Sequence, residues 1–94
     1  MIVIKRNGTH DEFNREKIKN AVTKAMREVD SVDLELVDEV CNVVESKALT
    51  AQEEITVEQI QDIIEDVLIE YGNIQTAKAY IRYRHERSKM RSVS

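Results

Sequence analysis

Lys5, Arg6, Asn14 and Lys17 are the residues of this chain whose types and spacing suit chemistry with an anion. Lys5 and Arg6 end a short apolar run, Ile2-Val3-Ile4, and stand directly before Asn7-Gly8. Asn-Gly between two short extended runs is a hairpin signal, so two cationic side chains flank a tight turn. Asn14 then opens a helical pattern whose first turn carries Lys17. Free backbone N–H groups at a helix start, an ammonium and a guanidinium together attract phosphate. A nucleotide is therefore the leading ligand class.

Other chemistries find fewer residues. Cys41 stands alone at a periodic apolar position, which makes it a core residue and excludes a disulfide framework or a Cys-x-x-Cys zinc pair. His10 and His85 lack partners at ligand spacing, so no structural metal is expected. No Ser/His/Asp or Cys/His constellation and no Walker-type glycine loop can be assembled. The chain is expected to bind its ligand without hydrolysing it, and to be no enzyme by itself. Its 94 residues make a single small domain spanning 1–94, too short for a core and a deep catalytic cleft together. No apolar run approaches the roughly 20 residues of a membrane span, and the N-terminus lacks a signal-peptide pattern. A cytoplasmic protein with no membrane partner is expected.

The net charge of −4 conceals an uneven distribution. Between Glu28 and Glu70 the chain is acidic, with Lys47 as its single base, whereas the other basic residues lie toward the two ends. If the ends meet in the fold, the molecule acquires one anion-attracting pole.

The elements that must position these groups follow from periodicity. Residues of about 2–13 read as a hairpin, which is marginal alone and needs apolar support. That support is a helix over about 14–29, capped by Asn14, with Ile18, Ala21, Val22, Ala25, Met26 and Val29 on one stripe. A second helix over about 33–49 carries Val37, Val40, Cys41, Val44 and Ala48. Thr56-Val57-Glu58-Gln59 matches a capping box and starts a third helix, about 56–71, with Ile60, Ile63, Ile64, Val67 and Leu68 inward. Gly72-Asn73 ends it, and a last helix over about 74–91 places Ala77, Tyr80, Ile81 and Arg84 on one face. Ile55 can add a brief third strand. The expected fold is mainly α (α+β), a four-helix bundle capped by a small N-terminal hairpin or three-stranded sheet. Arg87, Lys89 and Arg91 read as a solvated basic tail unless Arg87 reaches back toward the hairpin, and Ser92-Val93-Ser94 as a frayed end or the start of a linker.

Four segments in order, Val3-x-Lys5-Arg6-Asn7-Gly8, Phe13-Asn14-x-x-Lys17-Ile18, Ile55-Thr56-Val57-x-x-Ile60 and Ala79-Tyr80-Ile81-x-Tyr83-Arg84, resemble the ATP-cone domain over nearly the whole chain. The stretch 79–87 is most similar to the N-terminal cone of anaerobic, glycyl-radical ribonucleoside triphosphate reductases. The resemblance implies allosteric binding of ATP or dATP, the triphosphate carrying Mg²⁺, with the reductase catalytic domain joined in cis. It also implies a nucleotide-dependent shift between assemblies, for which Leu34 and Leu36 are candidate contacts between copies.

Carried over by position, Val3 presents backbone toward the adenine side, and Lys5, Arg6 and Lys17 face the phosphates with Asn14 beside them. Phe13 and Ile18 wall the base, while Ile60 and Ile64 close its slot and Gln61 offers an amide to base or sugar. Related cones often carry Thr at the position of Val57, where a backbone contact would substitute. The acid after the glycine turn is Asp11 or Glu12, of which Glu12 is taken into the expected site; either can meet a ribose hydroxyl or a metal-bound water. Tyr83, Arg84 and Arg87 return from the last helix to complete the anion pole. Two rivals remain at this level. One is a nucleic-acid-binding helical regulator using the basic last helix, disfavoured by the acidic middle; the other is a protein-interaction module without a ligand.

Overall fold

The computed structural model describes residues 1–51 and 53–92. Val93 and Ser94, expected as a frayed end, lie outside the described residues, as do the side chains of Lys89 and Arg91. Strands β1 (Ile2–Ile4) and β2 (His10–Glu12) form the hairpin, and helices α1 (Arg15–Glu28) and α2 (Leu34–Ala51) follow. Strand β3 (Glu54–Thr56) leads into α3 (Val57–Glu70) and α4 (Ile74–Ser92). The fold is mainly helical with a small sheet, as expected.

The sheet order is β2-β1-β3. β1 runs antiparallel to β2, pairing Val3 with Asp11, and parallel to β3, pairing Val3 with Ile55. At the hairpin tip the Gly8 N–H donates to the Lys5 carbonyl at 2.9 Å, and Gly8 takes a positive φ of 86° that a side chain would resist. Asn7 reinforces the loop by accepting from both the N–H and the hydroxyl of Thr9. This short loop holds Lys5 and Arg6 close to the start of α1.

The first three helices begin where a side chain satisfies an otherwise orphaned N–H. Asn14 Oδ1 accepts from the Glu16 N–H at 2.9 Å, and Asp33 Oδ1 accepts from the Leu36 N–H at 3.2 Å. At α3 the reciprocal box is complete: Gln59 N–H donates to Thr56 Oγ1 at 3.1 Å, and Thr56 N–H donates to Gln59 Oε1 at 2.9 Å. Thr56→Ala is expected to lower stability by about 1 kcal/mol and Tm by about 4–8 °C. A thermal melt followed by circular dichroism checks this; an unchanged midpoint would show that the box contributes nothing. α1 and α3 both end in tight turns that use left-handed residues, Asp30 (φ 51°) after α1 and Gly72 (φ 76°) after α3. The next N–H then reaches back, Ser31 to the Met26 carbonyl and Asn73 to the Leu68 carbonyl, each at 2.9 Å.

α1 packs against α2 and α4, and α3 packs against the same two helices from the other side, with β3 leading into it. The core between them holds Val22, Met26, Val37, Val40, Cys41, Val44, Val67 and Leu68, with Ile55 joining from the sheet. Burial pushes the Cys41 thiol above its usual range. α4 departs from its expected face at one position: Ile81 is 44% exposed, while Thr76, Ala77, Ala79 and Tyr80 are buried. With these residues turned to α1 and α3, Ile81 falls on the outer side of the helix. Among the described residues no helix is long and apolar enough to cross a membrane.

Candidate functional site

A cavity of about 160 Å³ opens where the hairpin, the start of α1, α3 and the middle of α4 converge. Its floor is apolar, formed by the buried side chains of Val3, Ile18, Ala21, Ile60, Ile64 and Tyr80. Phe13, Val57 and Tyr83, partly buried against the same core, continue the walls. Lys5, Arg6, Asn14, Lys17, Gln61, Arg84 and Arg87 complete the lining together with Asp11 and Glu12. All the residues expected from the sequence thus border one space. Ala21 and Tyr80 also border it; one lies a turn beyond Ile18 and the other a turn before Tyr83, a spacing that could have revealed both.

Both Asp11 and Glu12 border the cavity, and strand alternation places Asp11 beside the lysines of the rim. Asp11 is paired with Val3 in β1, and its side chain shares the cavity face with that residue. Its Oδ2 lies 3.3 Å from Lys5 Nζ and 3.5 Å from Lys17 Nζ, while its Oδ1 accepts from the Glu12 N–H at 3.0 Å. The Glu12 carboxylate is 81% exposed and sits 4.0 Å from the N-terminal amine instead. The Glu12 N–H, then Lys5 and then Lys17 hold the Asp11 carboxyl below its ordinary value of 3.8. Because the folded value is depressed, any stability from these contacts is present above that value and is lost as the pH falls through the lowered one.

Arg6 Nε lies 3.2 Å from Glu58 Oε1, linking the hairpin tip to the first turn of α3. That oxygen is buried, and the pair is close without the alignment of a hydrogen bond. Arg84 is engaged more firmly. Its Nη1 donates to Asp62 Oδ1 and Glu65 Oε1, both at 2.8 Å, and its Nη2 reaches the Glu58 carbonyl at 3.4 Å. Burial works to lower its pKa, but the hydrogen bonds to Glu65 and Asp62 outweigh this and raise it. Arg84 therefore braces α4 against α3 while bordering the cavity, and its charge is matched by protein acids. Opposite it, Lys24 Nζ and the Arg87 guanidinium lie 5.5 and 6.0 Å from the Tyr83 ring centre. Burial pushes the Tyr80 hydroxyl above its usual range.

The ends of the chain do meet, because α1 and α4 pack together, but the separation of charge is incomplete. Arg15 turns to Asn42 and Asp38 of α2, and Lys47 pairs with Glu70 of α3. Arg15 is thereby directed to α2 and does not join the cations around the cavity.

Gln61 has the least satisfied polar group of the lining. Its Oε1 is buried and has no hydrogen-bond partner among the described residues. A buried acceptor left unmatched is costly, and a donor from a ligand would satisfy it. Among the described residues no group of three or more His, Cys, Asp or Glu side chains gathers to hold a metal ion. The arrangement suits a flat, mostly apolar ring with a few polar edges, joined to an anionic tail.

A family model described as the ATP cone domain matches residues 1–89. The chain is 39% identical, over 95% of its length, to the ribonucleoside-diphosphate reductase subunit alpha of Chlamydia muridarum, of which it covers 10%. It is equally 39% identical, over 95% of its length, to the anaerobic ribonucleoside-triphosphate reductase of Haemophilus influenzae, covering 13% of that protein. With the vitamin B12-dependent ribonucleoside-diphosphate reductase of Thermoplasma acidophilum the identity is 37% over 95% of the chain and 12% of the relative. The chain spans about a tenth of the length of these relatives.

Proposed function

The chain belongs to the ATP-cone domain family, and on that premise we propose that it binds ATP and dATP as allosteric effectors of a ribonucleotide reductase joined to it in cis. The observation that carries this reading is one cavity with an apolar floor and a rim of Lys5, Arg6 and Lys17 at the capped start of α1. Adenine enters the slot between Phe13, Ile18, Ile60 and Ile64, with Val3 and Val57 contributing backbone at its edge. Gln61 Oε1 accepts a hydrogen bond from the base amine or a sugar hydroxyl, which supports a ligand carrying such donors. The triphosphate reaches Lys5, Arg6, Lys17 and the Asn14 amide, and Tyr83 with Arg87 closes the far side. Mg²⁺ arrives with the triphosphate and is held by its oxygens rather than by a protein cage.

In this reading the domain performs no reaction itself and works in the cytoplasm beside its catalytic partner. An anaerobic triphosphate reductase is the proposed parent, on the likeness of the 79–87 segment. Signalling then depends on differential affinity: each nucleotide shifts the equilibrium only as far as it prefers one conformation or assembly over the other. Self-association is the proposed output. Leu34, 60% exposed at the start of α2, supports it more than Leu36, which packs against the core.

Isothermal titration with ATP, dATP and GTP, followed by gel filtration of the loaded samples, tests the proposal. Sub-millimolar binding of both adenine nucleotides, weaker binding of GTP and an earlier elution with dATP are expected. No heat with either adenine nucleotide would overturn the binding reading, and an unchanged elution volume would remove self-association as the output.

A further inference from the structure

We propose that Asp11 and Glu58 are built-in counter-ions of the site, holding Lys5, Lys17 and Arg6 in place of phosphate until a nucleotide takes over those cations. The inference rests on the nucleotide reading given above and adds a device that sets the affinity.

Each cation assigned to the phosphates has a carboxylate on it. Asp11 Oδ2 spans two ammonium groups at 3.3 and 3.5 Å, and Glu58 Oε1 lies 3.2 Å from Arg6 Nε. The two acids are anchored differently. Asp11 keeps its other oxygen on the Glu12 N–H at 3.0 Å, so the backbone of β2 fixes the carboxylate while the lysine side chains remain free to swing. Lys17 is 66% exposed at its side chain, which leaves it room to move. When the lysines transfer to a polyphosphate, Asp11 remains as a nearby fixed negative charge and opposes the ligand.

Glu58 supplies the second half of the device. Its pairing with Arg6 ties the hairpin tip to α3, yet its buried oxygen is not aligned as a hydrogen bond. A phosphate drawing Arg6 away breaks this poorly aligned contact between the tip and α3. Filling the pocket therefore changes how the hairpin is attached, as well as the charge at the rim.

Neutralising either acid should consequently tighten binding, the reverse of what loss of a supporting ligand contact would do. The test is isothermal titration of ATP and of inorganic tripolyphosphate into the full chain and into Asp11→Asn and Glu58→Gln. Glu35→Gln, exposed in the first turn of α2, serves as a charge-matched control. Each of the two site variants is expected to bind both ligands about threefold to tenfold more tightly, with the control within about twofold of the parent chain. Unchanged or weaker binding overturns the role of that carboxylate, and equal tightening by the control overturns the local mechanism. Tightening confined to ATP also overturns it, because the exchange acts at the phosphates. A parent chain that binds neither ligand removes the nucleotide reading itself. A parent chain that binds while neither variant tightens removes only this inference. Melting curves establish that each variant is folded, and Glu58→Gln carries the test alone if Asp11→Asn is not.

Discussion

Replacing Lys5 and Arg6 together with alanine is expected to weaken ATP binding by about two orders of magnitude or more. A hydrogen bond to a charged group contributes about 1.5–3 kcal/mol, so losing two such contacts removes about 3–6 kcal/mol before solvent exposure discounts the figure. The variant also strands acids. Asp11 would keep only Lys17, and the buried Glu58 oxygen would face the incoming phosphates without Arg6. Stability should hardly change, because these are partly exposed pairs of the kind that contribute about 0–1 kcal/mol each. Titration calorimetry and a thermal melt on the same sample separate the two effects. Binding within about threefold of the parent chain would sink the assignment of these residues to phosphate.

Leu68→Ala should produce the largest loss of stability. Leu68 is fully buried on α3 at the centre of the four-helix core. Truncating a buried Leu costs about 2–5 kcal/mol through lost transfer energy and the cavity left behind. For a domain of this size that lowers Tm by about 10–30 °C, a large fraction of an expected total of about 5–15 kcal/mol. The cavity proposed to bind the nucleotide has no lining contribution from Leu68, so ATP should still raise the midpoint of the variant. Ligand at about 100 times Kd returns about 2.7 kcal/mol by mass action. Differential scanning fluorimetry with and without ATP measures both quantities. A fall of less than about 2 °C would mean that the core is not packed around this residue as described.

The two experiments probe the two kinds of information that the chain carries. Local rules were legible residue by residue. Asn14 and the Thr56/Gln59 box do cap α1 and α3, because capping depends on atoms three residues apart or fewer. The stripes of the first three helices were equally plain, since period and burial agree along each of them. α4 was harder to read: its small residues permit close approach on more than one face, and the positions of α1 and α3 determined that Ile81 faces outward.

The cavity shows the same division. Its residue types and their order along the chain were available from the sequence, and all of them reach one space. Their partners were not. Asp11 rather than Glu12 meets the lysines because β1 lies between two strands with Val3 turned inward, which fixes the alternation in β2. Arg84 lies close to two acids of α3 that are 22 and 19 residues away along the chain, and so becomes a brace.

By itself, then, the sequence determined where helices start and stop, which faces are apolar and which cations surround the hairpin, since these depend on neighbouring residues. Only the tertiary structure decided which carboxylate sits on which cation and where Gln61 keeps an unmatched oxygen. Electrostatic pairing and desolvation depend on distances of a few ångströms between distant segments, and packing sets those distances.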